Sequence, residues 1–334
     1  MSGFQLDDDI QSAMESLPSR FREFGQIYQT EIRPALQARE SERLKAVSMA
    51  RNFTIGGIAL ATIGGLLALL VFHQPHALIA GIVGGLIAGA VGTSPMRKLS
   101  GEAKAMLVAP VARSLDLAFE AKPGRVASIN DHRRVGLLPS YDRSSFEDQL
   151  NGRHEGVDFE FFECTLKQRR TSHSNGKTRT RYVTVFDGQC LRMGFHKRFF
   201  GETLVTRDAG LFNMFGGRRG MDRARLEDPE FEKAFEVYTT DQVEARFLLT
   251  PDFMQTLVDL EETLRGKKLR CAFSGEEMFV AVEGGDLFEP GSLFKTLDDP
   301  RRVRELLLDF EAVYNLIEMV SARRAMEDEA RPEV

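Results

Sequence analysis

The chain has 334 residues, 28% of them charged, and a net charge of −5. That is room for one sizeable domain, or two small ones, beside other segments. Three widely spaced cysteines, Cys164, Cys190 and Cys271, with no Cys-x-x-Cys pair, exclude a disulfide framework or a structural zinc knuckle and fit reduced thiols. The small net charge hides an asymmetry: Arg133 to Arg225 carries 18 basic and 11 acidic residues (+7), and Leu226 to the C-terminus 13 basic and 26 acidic (−13).

Residues 1–51 read as a cytoplasmic N-terminal helical segment. Ile10, Met14, Leu17, Phe21, Phe24 and Tyr28 step by three and four, a helical stripe. Pro18 and Pro34 are expected to split it into shorter helices. The stripe suits an amphipathic segment packed on its own protein, with a short coiled coil to a partner as the alternative.

Residues 52–93 read as a transmembrane helical hairpin. From Phe53 to Gly92, two uncharged apolar segments are separated only by His73-Gln74-Pro75-His76. At a rise of about 1.5 Å per residue the first reaches ~30 Å and the second ~24 Å, enough to cross a bilayer core with slight thinning at the second. Arg33, Arg39, Arg43, Lys45 and Arg51 precede the pair, and Arg97, Lys98, Lys104 and Arg113 follow it, whereas the connection has no Lys or Arg. The positive-inside rule then places both termini and the rest of the chain in the cytoplasm. Gly57, Ala61 and Gly65 in the first span, and Gly81, Gly85 and Gly89 in the second, recur every four residues, so they fall on one face of each helix and let backbones approach closely. Packing of the two spans on each other is the modest reading, and homo-oligomerisation through the same faces the sharper one. No charge inside the spans marks an ion path.

Residues 94–135 read as a juxtamembrane helix and linker: Glu102 to Phe119 has an apolar side of Met106, Leu107, Val111, Leu115 and Phe119, and Lys122-Pro123-Gly124 ends it. Residues 136–325 read as a cytosolic α+β domain that opens with a polar connector. From Val157 the period becomes strand-like, with runs at Phe159, Phe161 and Thr165, at Tyr182 to Phe186, Cys190 to Phe195, Thr203 to Thr206 and Phe235 to Tyr238. Asn175-Gly176 marks a long hairpin. Asp228-Pro229, Thr250-Pro251 and Asp299-Pro300 each offer an N-cap followed by proline at the first helical position. Two short strands, Leu269 to Phe273 and Met278 to Val282, lie between the last two helices. Residues 326–334 read as a disordered acidic tail. The fold class expected is α+β: a two-helix transmembrane hairpin with flanking amphipathic helices and a cytosolic mixed α+β domain.

Several phrases carry a family resemblance. They are Phe146-Glu147-Asp148 with Gly152, Val185-Phe186-Asp187-Gly188, Lys197 to Thr203, the run Asp228-Pro229-Glu230-Phe231-Glu232-Lys233-Ala234-Phe235-Glu236-Val237-Tyr238, and Ala245 to Pro251. With the preceding hairpin, they resemble an uncharacterised bacterial two-pass membrane family, domain of unknown function family 3137, over roughly residues 50 to 320. The resemblance implies bacterial origin and a two-pass anchor in the inner membrane, and brings no catalytic residue with it. Read physically, the long run is folding punctuation: Asp228 caps, Pro229 starts a short helix, and Phe231 and Phe235 turn to the core.

The strongest functional feature is a basic hairpin. Lys167, Arg169, Arg170, Lys177, Arg179 and Arg181 surround the tip, which also contains His173, and Gly216-Gly217-Arg218-Arg219-Gly220 adds a second basic stretch. Such clusters suit anionic lipid headgroups or an acidic partner protein, against the bland alternative of a solvated hairpin edge. No nucleic-acid-binding motif accompanies them. Six histidines, His73, His76, His132, His154, His173 and His196, form no metal-ligand spacing. His154-Glu155 opens like a zinc-protease motif, but Gly156 to Glu160 supplies no second histidine. No Gly-x-Ser-x-Gly, phosphate-binding loop or dinucleotide fingerprint is present. The reading is a membrane-anchored, non-enzymatic binding or scaffold module with no catalytic residue, metal or cofactor. The alternatives are a membrane-bound hydrolase or transferase, recognisable by a pocket of clustered ionisable groups, and a homo-oligomeric assembly through the glycine faces.

Overall fold

The computed structural model describes residues 21, 24–70, 75–174, 177–195, 198–207, 220–226, 228–263, 267–285, 287–289 and 291–329, with side chains for all of these except 67–70, 75–82, 86, 88, 89, 97, 174, 261–263, 300, 316 and 319–329. Two units form: Met1–Ser114 with Glu289–Leu307, and Leu115–Phe288 with Leu308–Val334.

The first unit is helical: α1 (Phe24–Ile27), a π-helical turn (Tyr28–Ile32), α2 (Arg33–Leu70) and α3 (Pro75–Ser114). The expected split at Pro34 does not occur. Pro34 cannot donate to the Thr30 carbonyl, and its ring would crowd that carbonyl in an ordinary turn. The wider turn just before it, in which the Arg33 N–H donates to Tyr28 O, absorbs the conflict and lets the helix run on. Pro18 lies outside the described residues. Among the described residues, one helical stretch, Phe24–Leu66, is long and apolar enough to cross a membrane, and only 17% of its apolar window is buried. Ile55, Ile58, Leu60, Ile63 and Leu66 are exposed along it, as are Val83, Ile87 and Val91 of α3.

The polar ends of both helices are tied to the segment 289–307. Arg43, only 6% exposed, donates to Leu293 O at 2.9 Å and to Glu40, whose carboxylate also accepts from Leu297 N–H at 3.3 Å. Lys104, 7% exposed, pairs with Glu289 at 2.6 Å. Tyr28 Oη donates to Asp298 O at 3.3 Å. These buried cations draw residues 289–307 away from the sheet domain to which the sequence assigns them. A buried charge left without such partners is strongly destabilising, so the segment and the helices order together.

α3 ends at Ser114, earlier than the expected Phe119. Asp116 takes a left-handed φ of 58°, which stops a helix, and the chain re-emerges as β1 (Ala118–Glu120). The second unit then builds α4 (Ile129–Arg134), β2 (Arg143–His154), β3 (Val157–Ser174), β4 (Lys177–Gly194), β5 (Glu202–Arg207), β6 (Asp222–Ala224), α5 (Pro229–Ala234), β7 (Phe235–Thr239), α6 (Gln242–Leu248), α7 (Pro251–Thr263), β8 (Lys267–Ser274), β9 (Glu277–Glu283) and α8 (Pro300–Glu329), whose residues up to Leu307 count with the first unit. Among the described residues the strands form one antiparallel sheet of nine, in the order β1-β2-β3-β4-β9-β8-β5-β7-β6. The class is α+β, as expected.

Alternation sorts each strand onto two faces. On one, Val126, Ile129, Val135, Leu137 and Leu138 cover Phe162, Leu166, Phe186, Cys190 and Phe279. On the other, Phe161 meets Phe288, which meets Phe310 of α8, and Phe159 meets Tyr314. Three sequence expectations change. The polar connector contains β2, whose only large apolar residues are Phe146 and Leu150. The runs at Tyr182–Phe186 and Cys190–Phe195 join in one strand through Gly188. The acidic tail expected over 326–334 is helical up to Glu329. All three helices start where expected, and side-chain caps form at two of them: Asp228 accepts from Glu230 N–H and Phe231 N–H, and Asp299 from Arg301 N–H; Asp241, not anticipated, accepts from Val243 N–H and Glu244 N–H for α6.

Candidate functional site

The β3–β4 hairpin outruns its neighbours. β2 pairs with β3 only up to Lys167, and β9 pairs with β4 only from Gln189 onward. Beyond those points β3 and β4 continue as a two-stranded ribbon in unbroken register, from Gln168↔Val183 to Ser174↔Lys177. Asn175 and Gly176, between the last pair, lie outside the described residues. Register decides which cations share a face. Arg170 stands opposite Arg181, and Ser172 opposite Arg179, which aligns Arg170, Lys177, Arg179 and Arg181 on one face. Arg169 stands opposite Tyr182 on the other face with Lys167, and the Arg143 guanidinium stacks 3.7 Å from the Tyr182 ring centroid.

The six ribbon cations are exposed, none has an ion-pair partner among the described residues, and no acidic residue lies between Lys167 and Thr184. The ribbon is instead held by backbone pairing, by an Arg169 N–H donated to Asp142 Oδ2 and by Thr171–Thr180 and Thr178–His173 cross-strand contacts. Like charges directly opposite one another, as at Arg170 and Arg181, oppose pairing. A solubilising edge would do as well with mixed signs, so the single sign is what asks for a ligand. Arg218 and Arg219 lie outside the described residues.

The root of the same hairpin has the opposite charge. Glu147, Glu163 and Asp187 line a cleft of about 610 Å³ with Cys164, Thr165, Gly188, Gly284 and Gly285. Glu163 is buried and accepts from Leu287 N–H at 2.8 Å, and Thr165 Oγ1 donates to Asp187 at 2.7 Å. Gln189, beside Glu163 in register, is 1% exposed, and neither of its amide atoms has a partner among the described residues. The glycines are needed here: a Cβ on Gly188 would fall on Val282 O, and Gly284 and Gly285 take φ of 72° and 68° as the chain leaves β9. The cleft was not legible in the sequence, because its carboxylates come from three strands that meet only through the register. It contains no histidine, and Cys164 is buried. The thiols of Cys190 and Cys271 are pushed up by burial, away from nucleophilic use.

In the helical unit, a Cβ on Gly85 would stand 2.9 Å from Gly57 O and 3.4 Å from Ala61 Cβ. The first-span stripe and Gly85 therefore face each other within the chain. Gly65 is buried, whereas the surroundings of Gly81 and Gly89 lie outside the described residues. Gly56, Gly64 and Gly84 face open space.

Comparison with known proteins gives a family match over part of the chain. The model of a family described as "Protein of unknown function (DUF3137)" matches residues 184–321, from the ribbon's return strand to α8. No curated protein matches. A search of solved structures finds a likeness to the crystal structure of the mycobacterial trehalose monomycolate transport factor A, at 9% identity and a TM-score of 0.33, covering 66% of this chain and 94% of that one. A score that low does not define a shared fold.

Proposed function

We propose that the protein is a non-enzymatic binding or scaffold module of the bacterial inner membrane, anchored by a two-pass hairpin of α2 and α3, whose sheet domain engages anionic lipid headgroups through the β3–β4 ribbon. The anchor is supported by the exposed apolar residues along both helices and by the lysines and arginines flanking them, which also favour cytoplasmic termini. The ribbon carries the functional part: six exposed cations with no ion-pair partner among the described residues and no anion among them in sequence, four on one face. A Lys or Arg near an anionic leaflet contributes about 1 kcal/mol, so four give about 4 kcal/mol, roughly a thousandfold in affinity.

An acidic protein partner would use the same ribbon. A photo-crosslinking residue at Ser172 in the full chain separates the two. Adducts with phosphatidylglycerol in reconstituted membranes are the expected result. Adducts only with a protein in cells would move the reading to a protein partner, and adducts with neither would remove the ribbon's role. The hydrolase or transferase reading now rests on the Glu147–Glu163–Asp187 cleft. The homo-oligomer reading loses ground, because Gly85 is already engaged by Gly57 and Ala61.

A further inference from the structure

His154 is the last residue of β2 and Glu155 the first of the two-residue turn into β3, closed by Gly156. Both turn residues have positive φ, 49° and 80°. In sequence, this His-Glu pair has no second histidine near it. The fold supplies one from α8: Glu318 lies one helical turn beyond Tyr314, which is 3% exposed and packs edge-on against the His154 ring at 4.4 Å between centroids. Glu318 therefore sits on the helix side that faces the sheet, and its Oε1 lies 2.8 Å from His154 Nε2.

One ligand atom from each of His154, Glu155 and Glu318 lies within 4.8 Å of the others. Ligands bound to one first-row metal at about 2.0–2.2 Å fall within such a spacing after small side-chain rotations. Two carboxylates balance a divalent charge, and the neutral imidazole shifts preference from magnesium or calcium toward zinc, cobalt or manganese. The Tyr314 edge limits the imidazole's rotation, and Glu155 reaches the group from an exposed turn without disturbing packing.

We infer that His154, Glu155 and Glu318 form a three-ligand site for a divalent transition metal of the zinc class, leaving further coordination positions to water. The site joins the β2–β3 turn to the second half of α8, residues 164 apart in sequence. It is independent of the ribbon and of the reading as a lipid-binding module.

Cobalt(II) titrated into the purified full chain tests it, because cobalt reports its ligands in the visible spectrum. One Co²⁺ per chain is expected, displaced by Zn²⁺, with binding abolished in His154→Gln and weakened at least about tenfold in Glu155→Gln, where folding is not in question because the side chain is exposed. Absence of a stoichiometric cobalt band in the wild-type chain, or a band unchanged in either variant, overturns the site.

Discussion

Gly188 shows how much one residue can decide. It lies within β4 where β9 departs, its lack of a Cβ lets Val282 O approach, and the Gly284 N–H donates to the neighbouring Asp187 O at 2.8 Å. Gly188→Ala must push strand from strand, at a cost of about 1–3 kcal/mol, seen as a lower thermal midpoint of the full chain. Asp228→Ala should lose about 1 kcal/mol with its cap, measured the same way. His132 gives a pH signature. It is fully buried, edge-on to Phe162 and Phe279, with its ring nitrogens facing Ser128 O and Leu191 O. Burial lowers its pKa from the ordinary 6.5, against the opposing pull of those two carbonyls. The unfolded chain then holds more protons at mildly acidic pH, so this contribution is present above about 6.5 and is lost as pH falls below it. A melting midpoint that declines from pH 7 to 5, with a shallower decline in His132→Phe, is the expected outcome.

Among the elements, the ribbon and the helix pair carry opposite lessons about legibility. The basic cluster was readable because six cations in one short stretch need no partner elsewhere to be noticed. Its division into faces was not, since that depends on the Arg170↔Arg181 pairing. β2 was hidden by its polar composition, which a strand tolerates where neighbouring strands supply the backbone partners. The acidic cleft and the His154–Glu318 contact were hidden because they join residues from distant elements. The helix starts at Asp228-Pro229, Thr250-Pro251 and Asp299-Pro300 were legible because capping and proline at the first helical position are local chemistry. Joining Gln168 to Val183 by a short Asn-Gly turn, which deletes the ribbon tip, should leave the thermal midpoint nearly unchanged, since residues 169–173 and 177–182 are all exposed. Gly85→Leu should disrupt α2–α3 packing, whereas Gly84→Leu, facing open space, should not, as read by protease sensitivity in detergent.

At the scale of the whole molecule, charge is segregated along the sequence and again within one hairpin, with carboxylates at its root and cations at its tip. The apolar helices and the cationic ribbon belong to different units, so an anchor and a reader of anionic surfaces are separable parts of the account. The chain has no tryptophan, so Ser172→Trp, opposite Arg179 on the four-cation face of the ribbon, creates a single fluorescent reporter at the point of proposed contact. The full-length variant in nanodiscs with brominated phosphatidylglycerol should show a blue-shifted, quenched emission that reverts at about 1 M salt, where screening reaches only ~3 Å. Emission identical in brominated phosphatidylglycerol and brominated phosphatidylcholine discs, and insensitive to salt, would contradict the ribbon's engagement of anionic headgroups.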